Sequence, residues 1–160
     1  MHRTIRLLAV LAVAALAGPA TAAAAKSKVQ TLRLTTGNIT VTPVDLLEPG
    51  QTSGDLYAYS GDVFRKGVKV GRFYGNHTSL GVEGDREIVQ GLITFRLQDG
   101  ELAAAGLAAY PLQDQSGTII DEPFSRPIIG GTGRYDGARG TLTTVRNSNG
   151  TYSQLFRYRR

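Results

Sequence analysis

The chain has 160 residues, a formal net charge of +5 and no cysteine. Without cysteine it has neither disulfides nor a thiolate nucleophile, so its fold must rest on an apolar core, which a chain of this length can build. The basic residues are scattered apart from Arg157, Arg159 and Arg160, which argues against a nucleic-acid partner, because a nucleic-acid footprint is usually a clustered stripe.

The first 25 residues have the pattern of a secretory signal peptide. Arg3 and Arg6 precede an apolar run over 7–17, and small residues follow at 22–25. The apolar run is shorter than the roughly twenty residues that span a bilayer, so we predict no stable membrane anchor. We therefore expect a leader over 1–25 and one secreted, extracellular domain over 26–160.

The remainder of the chain predicts successive strands, because valine, threonine and tyrosine alternate with turn residues at short intervals and no helical period is present. Lys66-Gly67, Asp99-Gly100 and the segment 147–150 are typical of hairpin turns, which favour residues that tolerate positive φ. The eight predicted strands cover 29–42 with a break at Gly37-Asn38, 55–64, 68–80, 86–98, 101–110, 118–129, 140–146 and 151–159.

Alternation is clearest over 87–97. Val89, Ile93, Phe95 and Leu97 share one face, while Gln90, Thr94 and Arg96 lie on the other. A strand with one buried face and an antiparallel neighbour on each side fits a closed eight-stranded antiparallel barrel, since closure removes unpaired edges. A sandwich of two sheets is the alternative.

Between the sixth and seventh predicted strands lies the glycine-rich stretch IIGGTGRYDGARG, residues 128–140. Glycine permits positive φ and close backbone approach, so the stretch predicts a tight corner between two strands. A dinucleotide loop would open a helix and a phosphate loop would need G-K-[ST]; the chain has neither feature.

This glycine stretch resembles the VVGGTG-x-F-x-x-A-x-G corner of the allene oxide cyclase and dirigent barrels. The segment GDLYAYSGDVFRKGVKVGRF, residues 54–73, resembles their second and third strands. The resemblance covers about residues 28–159. It implies an all-β, eight-stranded antiparallel barrel that holds a small hydrophobic molecule and directs its cyclisation or coupling without a cofactor. Because the plant members are often oligomeric, it also leaves a homo-oligomer open.

The resemblance implies catalytic roles for Asp62, Asp121 and Arg126, which match the two acids and, two positions out of register, the arginine of dirigent proteins. The cyclase carboxylate has no counterpart after Val29-Gln30. An acid held inside an apolar barrel would have a raised pKa and could transfer protons near neutral pH, with Glu122 as a further member of the group. The alternative is that these are exposed charges beside turns.

Aromatic side chains are the predicted walls of the pocket, because they combine apolar faces with hydroxyl groups. The alternative for each is an ordinary core or surface position. His77, the only histidine outside the leader, is interpreted as structural or superficial, since no cluster of metal ligands accompanies it. We predict no metal site. The candidate ligand-binding residues are Tyr57, Tyr59, Tyr74, Tyr110 and Phe95.

The sequence thus favours a secreted barrel that encloses a small hydrophobic molecule and steers its cyclisation or coupling, an isomerase-like activity. A shaped apolar cavity can select one reactive conformer, so weak catalytic motifs do not argue against this. Two alternatives remain. One is a carrier with the same cavity and no turnover; the other is a barrel filled by side chains whose outer face mediates association.

Overall fold

A computed structural model describes residues 27–44, 52–112 and 119–160 of the chain. Eight strands pair in sequence order, and the first also pairs with the last, so the sheet closes on itself. The predicted eight-stranded antiparallel barrel is confirmed, and the alternative of a two-sheet sandwich is wrong. The strands are β1 Gln30–Val44, β2 Leu56–Arg65, β3 Val68–Glu83, β4 Arg86–Leu97, β5 Gly100–Pro111, β6 Pro123–Gly131, β7 Arg139–Arg146 and β8 Tyr152–Arg159.

Two strands differ from their predicted bounds. β1 continues through Gly37-Asn38, where the register shifts before Thr40 and Asn38 has a φ of 52°, so the predicted break is a bulge. β6 begins at Pro123, whereas the predicted strand began at residue 118. Residue 118 itself lies outside the described residues. Asp121 has a φ of 61°, a conformation incompatible with a continuing strand.

The predicted leader also lies outside the described residues. Within the part of the chain that the structure does describe, no helix has the length and apolarity needed to cross a membrane.

The glycine stretch lies at one end of the barrel, which we call the corner end. After β6 the chain forms a single 3-10 turn, Gly133–Tyr135, that lies against the β4–β5 hairpin. Gly133 has a φ of 58°, and a Cβ on Gly131 would lie 2.5 Å from the carbonyl oxygen of Tyr135. Both positions therefore need glycine. Tyr135 is buried against Tyr158 and donates a hydrogen bond to Asp99.

The apolar core fills the interior next to this corner end. Phe95 lies at its centre, fully buried, with ring centroids 4.9 Å from Phe156 and 6.1 Å from Phe73. Leu102 and Leu142 are buried beside them. These residues point inward because side chains alternate between the two faces of a strand, as predicted for Phe95 and its neighbours on β4.

Candidate functional site

Toward the opposite end, the interior changes from aliphatic and phenyl side chains to a cluster of hydroxylated aromatic rings around one imidazole. We call this the aromatic end. The His77 ring lies 4.8 Å from that of Tyr57, 5.8 Å from that of Tyr59 and 5.7 Å from that of Tyr110. The start of β2, the end of β3 and the end of β5 supply these rings, and antiparallel pairing brings those strand ends together.

Arg126 on β6 adds a positive charge to this cluster. It is only 5% exposed, and its Nη2 donates a hydrogen bond of 2.9 Å to the hydroxyl of Tyr110. Its guanidinium carbon lies 4.9 Å from the centre of the Phe124 ring, a cation–π distance. Its Nε is buried and has no hydrogen-bond acceptor among the described residues. A buried donor without an acceptor costs free energy, because it loses its hydrogen bonds to water.

Two inward-facing glycines make room for these groups. A Cβ on Gly75 would lie 2.4 Å from the ring of Tyr59, so the ring rests directly on the backbone of β3. A Cβ on Gly91 would lie 3.3 Å from Nη2 of Arg126, in the gap that the guanidinium occupies over β4. Glycine at these positions admits larger groups from neighbouring strands into the same layer.

Protonation states in the cluster follow from burial and from the arginine. Burial, and secondarily the charge of Arg126, lower the pKa of His77 to about 4. Burial raises the pKa of Tyr59 to about 12, although Arg126 acts in the opposite direction. At neutral pH the site therefore combines one fixed cation with a neutral imidazole and a protonated phenol.

The strands opposite this cluster carry a neutral polar ladder. Thr144 donates to the side-chain oxygen of Gln154 at 2.7 Å, and the amide of Gln154 donates to Thr36 at 3.2 Å. All three residues are buried, and each finds its partner within the barrel. This ladder is thus a structural element of β1, β7 and β8, whereas the buried Nε of Arg126, which has no acceptor among the described residues, belongs to β6.

Four of the predicted site residues meet in the aromatic end: Tyr57, Tyr59, Tyr110 and Arg126. Phe95 also faces inward but belongs to the core of the corner end, where it is fully buried among phenyl rings. The predicted aromatic pocket is therefore divided, and only its tyrosine part lies beside the arginine.

Three further predicted residues lie away from the interior. Asp62 is on the outer face of β2, where Asn38 donates to it at 3.0 Å and Lys69 approaches to 2.7 Å; these hydrogen bonds lower its pKa. Asp121 is exposed before β6, where its backbone NH donates a hydrogen bond to the carbonyl oxygen of Arg146. Tyr74 is 45% exposed on the outer wall. The associated Glu122 is exposed and lies 3.6 Å from Arg86.

Sequence reasoning missed two residues of the aromatic end. His77 was interpreted as structural or superficial, yet it lies at the centre of the ring cluster. Glu87 is 4% exposed at the start of β4, directly opposite Tyr110 in register. Alternation could have identified both, since His77 shares parity with Phe73 and Glu87 shares parity with Val89.

Comparison with known proteins agrees with this architecture. Residues 28–155 match the family model of the allene oxide cyclase barrel like domain. The chain belongs to this family. Its barrel is similar to the structure of a pyocyanin demethylase, with 27% identity and a TM-score of 0.68 over 80% of this chain and 99% of that one.

Two cyclases also share the fold of this family member. One is described as a nonspecific heme-binding cyclase that catalyses a 4 + 2 cycloaddition during neoabyssomicin biosynthesis, with 18% identity and a TM-score of 0.66 over 87% of this chain and 70% of that one. The other is the Diels Alderase AbmU from Streptomyces koyangensis, with 17% identity and a TM-score of 0.64. The alignment covers 82% of this chain and 64% of AbmU. A search of curated proteins finds no match.

Across residues 27–44, 52–112 and 119–160, no three His, Asp or Glu side chains are grouped so that they could hold a metal ion. The aromatic end offers a cationic donor, the buried carboxyl group of Glu87, neutral hydroxyl donors, a neutral imidazole and flat aromatic surfaces. The donors stabilise negative charge that develops on a ligand oxygen, and the aromatic surfaces fix the orientation of a conjugated ring.

Proposed function

We propose that this barrel binds a small hydrophobic, conjugated molecule carrying an acceptor oxygen, with its rings in the aromatic end, and steers the cyclisation or a related isomerisation of that molecule. The observation that carries the proposal is the buried Arg126, whose Nη2 holds Tyr110 while its Nε has no acceptor among the described residues. We further propose that the protein acts after export and that the ligand is the only partner this chemistry needs.

In the proposed complex, the ligand oxygen accepts hydrogen bonds from Arg126 and from the hydroxyl of Tyr110. Because Tyr110 already accepts a hydrogen bond from Nη2, its own proton is free to point toward the ligand. Negative charge that grows on this oxygen during bond reorganisation is then stabilised by a fixed cation in a site of low dielectric.

The rings of Tyr57 and Tyr59 supply flat surfaces that limit the conformations of the ligand. The neutral imidazole of His77, in contact with both, can accept a proton or a hydrogen bond from the ligand. Cyclisation by positioning demands little more, since holding the reacting atoms close together removes much of the entropic barrier. The activities of the cyclase and demethylase relatives are compatible with a conjugated ligand.

The first test is native mass spectrometry of protein exported by its own host, with identification of any compound that purifies with it. A second test uses a matched pair of probes, 1-naphthoate and 1-naphthamide, which differ mainly in charge, with binding measured by calorimetry. We expect naphthoate to bind more tightly, and Arg126→Gln to reduce that binding by about tenfold or more, as for the loss of a charged hydrogen bond.

Arg72→Gln is the matched control, since Arg72 also lies over an aromatic ring, that of Tyr74, but on the outer wall. It should leave the binding of both probes unchanged. If neither probe binds and no compound purifies with the protein, the ligand-binding proposal is wrong. If a bound natural compound is never converted by the wild type, the protein is a carrier and the catalytic part of the proposal fails.

A further inference from the structure

The two ends of the barrel differ sharply in charge. Because the strands alternate in direction, β1, β3, β5 and β7 begin at the corner end and the other four finish there. Twelve basic and four acidic side chains lie toward this end, whereas three basic and six acidic ones lie toward the aromatic end, counting only described residues. The basic set of the corner end is Lys28, Arg33, Arg65, Lys66, Lys69, Arg72, Arg96, Arg134, Arg139, Arg157, Arg159 and Arg160.

The acids of the corner end offset only part of this charge. Asp62 lies 2.7 Å from Lys69, Asp99 lies 3.4 Å from Arg134, and Glu101 lies 2.7 Å from Arg96. All three ion pairs involve β2 to β5 or the 3-10 turn. The fourth acid, Asp136, forms no ion pair with a described residue.

The wall formed by β7, β8 and β1 carries an uncompensated group of arginines. None of these three strands contains an acidic residue. Arg139 and Arg159 are direct cross-strand neighbours, and Arg157 lies on the same outer face opposite both Thr31 and Thr141. These arginines are exposed and form no ion pair with any described residue. Like charges directly opposite each other weaken a sheet, so the arrangement suggests a partner that supplies negative charge.

Exposed apolar side chains accompany the cations at the same end. Val68 is 66% exposed beside Lys66 and Lys69 at the β2–β3 hairpin, and Val29 is 47% exposed just before β1. Exposed apolar residues also lie toward the aromatic end, Leu80, Val82 and Leu107 among them, but no comparable group of cations accompanies them among the described residues. The valines of the corner end do not strengthen the binding of a dissolved polyanion. At a lipid interface, by contrast, both cations and apolar side chains contribute to binding. The outer faces of β7 and β8 present no aromatic ring, and a single-stranded nucleic acid would need one for stacking.

We propose that the corner end docks peripherally on an anionic lipid bilayer and leaves the aromatic end facing the solvent. The contact comprises the arginines of β7, β8 and β1, the basic β2–β3 hairpin and the two exposed valines. It is a reversible surface association, distinct from the stable anchor that the sequence argues against. The first described residues, 27–29, lead directly into β1 at this end.

The test is flotation of the exported, processed protein with vesicles of phosphatidylcholine containing about one third phosphatidylglycerol, beside pure phosphatidylcholine vesicles. We expect binding only to the anionic vesicles and its loss when salt is raised from roughly 0.1 M to 1 M, where charges are screened within about 3 Å. The double variant Arg157→Gln/Arg159→Gln should bind about 30-fold more weakly, given about 1 kcal/mol for each basic residue near the surface.

The matched control is Arg86→Gln/Arg146→Gln, which removes the same charge from the aromatic end and should bind like the wild type. Val68→Ser should weaken vesicle binding while leaving binding to polyphosphate unchanged. If both double variants lose vesicle binding equally, binding depends only on net charge, and the proposal is overturned. Binding to polyphosphate without binding to anionic vesicles would also overturn it, in favour of a soluble polyanion. Neither outcome depends on the ligand of the interior.

Discussion

The interior of the barrel at the corner end is filled by phenyl and aliphatic side chains, whereas the same strands at the aromatic end carry tyrosines, a histidine and a buried arginine. Phe95 packs against the rings of Phe73 and Phe156. Arg126 holds Tyr110, while its Nε is without an acceptor among the described residues. The comparison separates stability from function: one end holds the barrel together, and the other retains polar groups that an optimal core would not contain.

Phe95→Ala should have the largest effect. The ring is fully buried between Phe73 and Phe156, so its loss leaves a cavity and should reduce the free energy of unfolding by about 3–5 kcal/mol. Urea denaturation measures this change. Tyr59→Phe, which keeps the ring at the aromatic end, is the control and should cost far less. A small effect of Phe95→Ala would mean that the corner end is not the core.

Gly131→Ala should come next, with a loss of about 1–3 kcal/mol from overpacking. The added Cβ would lie 2.5 Å from the carbonyl oxygen of Tyr135 and 2.6 Å from that of Glu101, two backbone atoms that cannot move independently. Gly137→Ala tests a different cause, because its Cβ meets no atom within 4 Å and only its φ of 72° is unfavourable. If both variants melt like the wild type, the corner does not constrain the barrel.

The pH dependence of His77 should give a moderate effect. Its pKa in the native barrel is about 4, below the ordinary value of 6.5. Above pH 6.5 both native and unfolded chains are neutral at this site, so it contributes nothing. As the pH falls toward 4, the unfolded chain takes up the proton first, and stability decreases. Since the ring is partly exposed, we expect a loss on the order of 1–2 kcal/mol, reduced by solvent screening.

His77→Gln is the control for this prediction. In this variant the part of the stability loss at low pH that is due to the imidazole should disappear, while the part due to other titratable groups remains. NMR of protein lacking residues 1–25 reads the same pKa directly, since His77 is the only histidine outside the predicted leader. In Arg126→Gln the pKa should rise, because the arginine is one cause of its depression. A native pKa near 6.5 would place the imidazole in water rather than in the aromatic end.

The strand count and the barrel could be predicted from the sequence because they depend on local signals. Hairpin turns such as Lys66-Gly67 and the strict alternation of β4 around Phe95 each determine the structure of a few neighbouring residues. The glycine corner was recognisable for the same reason: Gly131 and Gly133 meet backbone atoms that no side chain could approach.

The membership of the site was harder to predict, because it depends on which face each strand presents. Tyr57 and Tyr59 face inward, whereas Tyr74 shares the outer face with Arg72. The signal available in the sequence was the alternation of the charged Arg72 with the apolar Phe73, which places Arg72, and with it Tyr74, on the outer face. The positive φ of Asp121 gives no comparable pattern in the sequence.

Asp62→Asn and Asp121→Asn should have the smallest effects on ligand binding, although family resemblance singled both residues out. Asp62 faces Lys69 and Asn38 on the outer wall, and Asp121 is exposed before β6, so neither carboxylate can reach a ligand held by Arg126 without a rearrangement of the barrel. Calorimetry with 1-naphthoate should give affinities within about twofold of the wild type, in contrast to Arg126→Gln. A tenfold loss in Asp62→Asn alone would show that the outer wall of β2 contributes to the site. Ligand binding would then not be confined to the aromatic end of the interior.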